Sequence, residues 1–486
     1  MTIRPDAAAA AADIASGLLI DGEWTRAEST FDVLDPATGT VIAAVADAGV
    51  EQGLAALDSI SRAAPAWAHT ASRERAEILR RAFDAVISQR EDFARLISAE
   101  MGKPLSESRA EVDYGAEFLR WYSEEAVRPE GEYRRSPDGG SRLLVARRPV
   151  GPCLLITPWN FPLAMATRKI GAALAAGCTA IIKPAAQTPL STIRLAQVLV
   201  EVGLPDGALN VITTTTAGKV STALLADGRI RKISFTGSTG VGRVLISQCG
   251  QHVVRPSMEL GGNAPFIVDA DADVWRAVDG AMLAKMRNMG EACTAANRFL
   301  VHRSVAPVFS SLLSERMAAL KVGHGLDPET QVGPVIDEAA RTGLAELIED
   351  AVSRGAKVTT GGRAIDGPGT FFEPTVVTDV PTDSRMFGEE IFGPIAGITV
   401  FDDLDEAVHL ANDTEYGLAA YLYSGNVERG LRTAERLDFG MVGLNRAIVS
   451  NAAAPFGGIK QSGLGREGGR EGINDYLDLQ YVAIDA

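Results

Sequence analysis

The chain has 486 residues, 46% apolar and 22% charged, with 62 Asp and Glu against 47 Lys and Arg for a net charge of −15. This composition excludes a globally disordered, collagen-like or coiled-coil protein, and the acidic balance argues against nucleic acid or an anionic membrane as the main partner. At about 150 residues per domain, the length suggests about three structural units.

The run Ala7 to Ala12 is flanked by Asp6 and Asp13. It lacks the bulky apolar stretch of a secretion signal, so residues 1–16 are expected to form a disordered leader. Leu18-Leu19-Ile20, the turn pair Asp21-Gly22 and Phe31 to Leu34 read as short strands. Residues 50–126 read as helices, with Ile78, Leu79, Ala82, Phe83, Val86 and Ile87 at helical spacing. Gly102-Lys103-Pro104 breaks that region.

From about residue 150 short apolar runs alternate with helical stretches. Cys153 to Ile156, Thr179 to Ile182, Leu209 to Ile212, Ile230 to Phe235 and Ala264 to Val268 read as strands. Leu163 to Ala176 and Leu190 to Val202 read as helices. Such alternation predicts βαβ units and a mostly parallel α/β sheet, with ligands beyond the strands' carboxyl ends. Residues 270–460 repeat the pattern, so a second α/β unit is expected. The tail, Tyr476 to Ile484, reads as a strand able to pair with another chain. The longest central apolar stretch, Ile170 to Ile182, is too short to span a membrane, which needs about 20 residues.

Four cysteines without a C-x-x-C pair (Cys153, Cys178, Cys249 and Cys293) point to a reducing, cytoplasmic setting. The five scattered histidines show no metal-ligand spacing, so no metal is expected. Gly237-Ser238-Thr239-Gly240-Val241-Gly242 follows a strand and opens a helix. It reads either as a phosphate seat on a helix N-terminus or as an ordinary glycine turn. Lys183 closes a strand, where it reaches either a ribose or solvent. Cys293 lies among small polar neighbours while the other three cysteines sit in apolar runs, which makes it the best nucleophile candidate. An inert cysteine is nevertheless the commoner case. Glu259 precedes a double glycine and suits a base of raised pKa, if it is not simply a solvated carboxylate. Asn160, between Pro158 and Pro162, offers an amide to an oxyanion or is a turn residue.

Together Thr157 to Pro162, Lys183-Pro184, Ser234 to Gly242, Glu259 to Pro265, Gly290 to Arg298, Glu389 to Pro394 and Pro455 to Gly465 resemble the aldehyde dehydrogenase superfamily. The resemblance implies a Rossmann-like cofactor domain (residues 17–126 and 148–258), an α/β catalytic domain (259–460) and a small β oligomerisation element (127–147 and 461–486). It implies Cys293 as nucleophile, Glu259 as general base and Asn160 in the oxyanion hole. Trp159, Lys183, Ala186, Gly237, Ser238, Glu390 and Phe392 would meet the cofactor, NAD or NADP. Ala186 stands where NAD-preferring members often carry Glu, so NADP is expected to be accepted and preferred.

The subgroup resembled most is the succinate-semialdehyde dehydrogenases, through Arg168, Arg287 and Ser450 as a clamp on the substrate's far carboxylate. A surface ion pair is the commoner role for an arginine. Glutarate semialdehyde, another aldehyde, or CoA-dependent acylation are the alternatives. Glu291 replaces the subgroup's usual Gln and would raise the thiol pKa if it faced the site. Arg446 would add charge at the substrate mouth. A homodimer or homotetramer acting on a small-molecule aldehyde is expected.

Overall fold

The computed structural model describes residues 7–485. An eight-stranded sheet has a parallel centre in the order Arg255–Glu259, Lys232–Thr236, Cys153–Ile156, Ala180–Lys183 and Leu209–Val211. Numbered along the chain, that order is fifth, fourth, first, second, third, so the direction of winding reverses between Cys153–Ile156 and Lys232–Thr236. A crevice forms beyond the carboxyl ends at such a reversal. Antiparallel strands close the two edges: Gly463–Leu464 on one side, Leu18–Ile20 and Glu23–Thr25 on the other.

The sheet is covered on both faces, and its strands show why. Leu155 and Ile182 enter a core with Phe93, Leu119, Ile170 and Leu174. The alternate residues Leu154 and Ile181 enter another with Ile233, Leu245 and Met258. A strand with period-two side chains and apolar residues at both parities must be buried on both sides. Helix Leu105–Glu125 packs across Pro162–Ala176 on the first face.

A seven-stranded sheet forms the second α/β layer. Its order is Lys357–Thr360, Thr375–Thr378, Ile395–Phe401, Ala296–His302, Ala264–Val268, Ala419–Tyr423, Met441–Leu444, all parallel but for the first pair. Phe266, Phe299 and Tyr421 face one core. Their neighbours Ile267, Leu300 and Leu422 face the other.

A three-stranded antiparallel sheet stands apart. Leu477–Asp485 runs beside Ser141–Pro149, from Leu477 opposite Pro149 to Asp485 opposite Ser141, and Glu132–Arg135 takes the other side. The tail strand therefore pairs within its own chain. The α/β class expected from the sequence is the class observed. The expected leader is different: Ala7–Ala10 is helical, and Ala7 and Ala11 are buried against the first core, because small alanine faces fit closely on helix Arg90–Met101. Residues 1–6 of that leader lie outside the described residues. Among the described residues, no helix is long and apolar enough to cross a membrane.

Candidate active site

Two adjoining cavities open at the winding reversal. One, of about 600 Å³, is lined by Lys183, Ala186, Thr214, Gly218, Gly237, Ser238 and their neighbours. The other, of about 250 Å³, holds Cys293, Glu259, Asn160, Glu390, Arg168, Arg287 and Ser450. Pro158, Trp159, Thr236, Gly237 and Ser238 line both. Trp159 and Phe392 meet edge to face at 5.3 Å in the smaller cavity.

One end of the larger cleft is the N-terminus of a helix. Ser238 caps helix Thr239–His252, its Oγ accepting from the Val241 N–H at 3.5 Å. A Cβ on Gly237 would meet the Phe235 ring at 2.5 Å, so the backbone here stays bare. The Lys183 ammonium is buried, donates to the Pro184 carbonyl at 2.9 Å, and burial lowers its pKa to about 8. The hydroxyls of Thr157 and Thr236 are buried without a protein partner. No Asp or Glu lines this cleft among the described residues.

In the smaller cavity Cys293 is half-buried. Burial, then the charges of Glu390 and Glu259, push its thiol up to about 12 against the opposing pull of Arg168 and Arg287. Glu259 ends strand Arg255–Glu259 and is 3% exposed, with Oε2 lacking any partner. Burial, then the Glu467 carboxylate, raises its pKa well above the usual carboxylate range. The Asn160 side chain donates from Nδ2 to the Glu291 carbonyl at 2.9 Å. A carboxamide carries two N–H donors, so one is left for the cavity. Glu390 accepts from the Gly262 N–H at 3.0 Å, and a Cβ on Gly261 would lie 2.7 Å from its Oε2. Burial raises Glu390 to about 7.

The three clamp candidates all reach this cavity but differ in their commitments. Arg168 is 1% exposed, bonded to Glu467 at 3.3 Å and Tyr114 at 2.5 Å, and lies over the Phe456 ring at 4.2 Å. Its Nε has no partner. Arg287 is half-buried over the rings of Phe161 and Tyr114, at 5.2 and 5.5 Å, and no carboxylate among the described residues pairs with it. Ser450 lines the same cavity.

Two expectations are corrected. Glu291 does not face the cavity. Its side chain is wholly buried on the far side of the loop, Oε1 accepting from the Ile336 N–H at 3.1 Å, and it is not among the charges acting on Cys293. Burial holds its own pKa well above the usual range. Arg446 is exposed, donates to the Ile448 carbonyl at 3.0 Å and lies outside the cavity lining. A third side chain was missed. Glu467 bonds Lys169 at 2.5 Å, Arg168 and Ser234, and raises Glu259. It lies two residues beyond the last motif read from the sequence, in a glycine-rich stretch with no chemical signature of its own.

A cysteine and a carboxylate line one small cavity that opens on a bare-backbone cleft at the carboxyl ends of a doubly wound sheet, the place where such α/β sheets bind nucleotides. The chain belongs to the aldehyde dehydrogenase family, whose model matches residues 24–482. It is therefore an NAD(P)-dependent aldehyde dehydrogenase. It is 58% identical to a succinate-semialdehyde dehydrogenase of Paenarthrobacter nicotinovorans over 91% of this chain and 99% of that one. It is 46% identical to the NADP(+) succinate-semialdehyde dehydrogenase GabD of Escherichia coli strain K12, over 96% and 97%. A glutarate-semialdehyde dehydrogenase of Pseudomonas putida is 47% identical over 96% and 97%. The crystal structure of a succinate-semialdehyde dehydrogenase from Burkholderia pseudomallei superposes with a TM-score of 0.96 at 43% identity, covering both chains fully.

Proposed function

We propose that the protein oxidises succinate semialdehyde to succinate with NADP(+). The observation that carries the substrate is Arg287. A half-buried guanidinium without a carboxylate partner, in the same cavity as the thiol, has its planar fork free for a carboxylate brought by the substrate. Arg168, already shared with Glu467, supplies background positive charge and one free N–H, and Ser450 a hydroxyl. The identities to two succinate-semialdehyde dehydrogenases support the same reading.

The nucleotide reading rests on the unpartnered Thr157 and Thr236 hydroxyls, the buried Lys183 and the bare backbone at Gly237. These would hold a dinucleotide: the Ser238 helix end would take its pyrophosphate, Lys183 and Glu390 would hold its riboses, and Trp159 and Phe392 would flank it where the two cavities meet. That no Asp or Glu among the described residues lines this cleft leaves a 2′-phosphate unopposed within it. When bound, the nucleotide accepts a hydride from the substrate carbon.

The chain's own residues do the rest. The Cys293 thiol passes its proton to solvent and its sulfur bonds the aldehyde carbon. The carbonyl oxygen becomes an oxyanion, met by the spare Asn160 N–H and the Cys293 backbone N–H. After oxidation the sulfur holds a thioester. Glu259 takes a proton from water, the hydroxide oxygen bonds the acyl carbon, the C–S bond breaks and the acid leaves. A carboxylate with an unpartnered oxygen and a raised pKa is suited to that proton. Glutarate semialdehyde is the second substrate reading, favoured by the Pseudomonas putida relative. One methylene discriminates by only about 1–3 kcal/mol. The three-stranded sheet, with exposed Tyr133, Leu479 and Tyr481, is the surface we assign to assembly with a second copy. The four unpaired cysteines suit a reducing, cytoplasmic setting.

The test compares succinate semialdehyde, glutarate semialdehyde and butyraldehyde. Arg287→Ala should raise KM for both semialdehydes by about 10–100-fold, the worth of a charge-assisted bond, and leave butyraldehyde unchanged. Butyraldehyde preferred by the unaltered enzyme would remove the carboxylate reading.

A further inference from the structure

Lys103 belongs to none of the functions above, yet it is among the most deeply buried charges of the molecule. The sequence places it in Gly102-Lys103-Pro104, between two helices. Gly102 ends helix Arg90–Met101 in the left-handed region, with φ 92°, and a Cβ there would lie 2.8 Å from both Pro36 and Pro334. Pro104 then starts helix Leu105–Glu125. This sharp turn throws the Lys103 side chain inward instead of into solvent.

Inside, its ammonium donates to the Asn160 backbone carbonyl at 2.7 Å and to Glu111 Oε2 at 2.6 Å, and it lies over the Phe161 ring at 4.1 Å. The other Glu111 oxygen accepts the N–H groups of Leu163 and Ala164 at 3.0 and 3.1 Å. The lysine–glutamate pair thus grips the loop that carries Asn160 at two points: the carbonyl of Asn160 itself and the first turn of the following helix. A second donor completes the hold. Asn288 Nδ2 reaches the same Asn160 carbonyl at 3.1 Å and the Glu291 carbonyl at 2.8 Å, the carbonyl that also takes the Asn160 side chain. Asn288 does this from a strained backbone, φ 54°, five residues before Cys293.

An ion pair buried this completely loses the hydration of both charges and is an inefficient way to stabilise a fold. A neutral loop packed on apolar side chains would do as well. What the pair provides is direction, since it fixes the peptide from which the Asn160 carboxamide projects.

We infer that Lys103, with Asn288, is a positioning residue for the reaction: it holds the Asn160 loop so that the spare amide N–H points at the developing oxyanion. This rests on the reading of Asn160 as the oxyanion donor.

The experiment uses the full chain with saturating NADP(+) and succinate semialdehyde. Alkylation of Cys293 by iodoacetamide is the second readout, because displacement at a saturated carbon develops no oxyanion. Lys103→Met should lower kcat by about 10–100-fold, since a displacement of about 1 Å in a reacting geometry costs up to about 10²-fold. KM for NADP(+) and the alkylation rate should be unchanged. In an Asn160→Ala background, Lys103→Met should add nothing, because residues that act through one another are not additive. Asn288→Gly, which keeps the left-handed backbone and removes the amide, should behave like Lys103→Met. So should the neutral pair Lys103→Met with Glu111→Gln if the single variant does not fold. A full additional loss in the Asn160→Ala background, or alkylation slowed in step with kcat, would overturn the inference and leave Lys103 a structural residue. An Asn160→Ala enzyme of undiminished kcat would instead overturn the reading of Asn160, and the role of Lys103 would fall with it.

Discussion

Cys293 and Glu259 share one electrostatic problem, since desolvation and neighbouring negative charge raise the pKa of each. A base works only when ionised. As pH falls through its raised pKa, Glu259 binds a proton and can no longer take one from water, so hydrolysis should rise with pH over a range above the usual carboxylate titration. Glu259→Gln should lower kcat by about 10²–10⁴-fold, the usual range for a general base. A burst of NADPH should precede slow turnover, since only the second half-reaction needs the carboxylate for water, and the pH dependence of the slow phase should disappear. Stopped-flow absorbance across pH separates the two phases. The other residue-scale prediction concerns the cofactor. Ala186→Glu places a carboxylate in a cleft that has none. It should lower kcat/KM for NADP(+) and raise it for NAD(+), reversing or narrowing their ratio; an unchanged ratio would mean that the 2′-phosphate lies elsewhere.

Secondary-structure elements were legible where their side chains alternate on a buried surface. Cys153–Ile156 and Ala264–Val268 match the sequence reading residue for residue, because runs that are apolar at both parities belong to a sheet covered on both faces. The residues that join elements were not legible in this way. Glu291 stands two residues from Cys293 and would bear on it if it faced the site, but the chain turns here and sends the carboxylate toward Ile336. Periodicity carries no information about such a turn. The course of this segment is constrained just before Glu291 by Gly290, at φ 80°, where a Cβ would lie 2.1 Å from the Gly393 carbonyl oxygen. Gly290→Ala therefore meets a backbone atom that cannot rotate away, and a conformation that costs about 1–3 kcal/mol for a side-chain-bearing residue. The expected result is a lower melting temperature together with a large loss of kcat, since the displaced segment carries Cys293. Calorimetry and steady-state rates on one preparation would show both; full activity in the alanine variant would mean the loop relaxes without moving the thiol.

At the scale of the whole molecule, Glu467 ties the chain's last quarter to its first sheet. Its carboxylate is buried between Lys169 and Arg168 on helix Pro162–Ala176 and Ser234 on strand Lys232–Thr236. Nothing in the local sequence marks it, since its partners lie 233 to 299 positions earlier and only the folded chain brings them together. Burial alone would raise its pKa, but the charges of Lys169 and then Arg168 more than offset this, and the net direction is down. A carboxyl whose folded pKa is depressed contributes stability that is present above its unfolded value and is lost as pH falls through the folded one. Removing it leaves two buried cations without their shared counter-ion, and breaking such a pair costs about 3–5 kcal/mol. Glu467→Ala should therefore unfold at lower urea concentration at neutral pH, and the gap from the unaltered protein should narrow as the medium is acidified, because protonation removes the same charge from both. Urea midpoints at a series of pH values decide the matter: a gap that is constant with pH would show that the side chain contributes by packing and not by its charge.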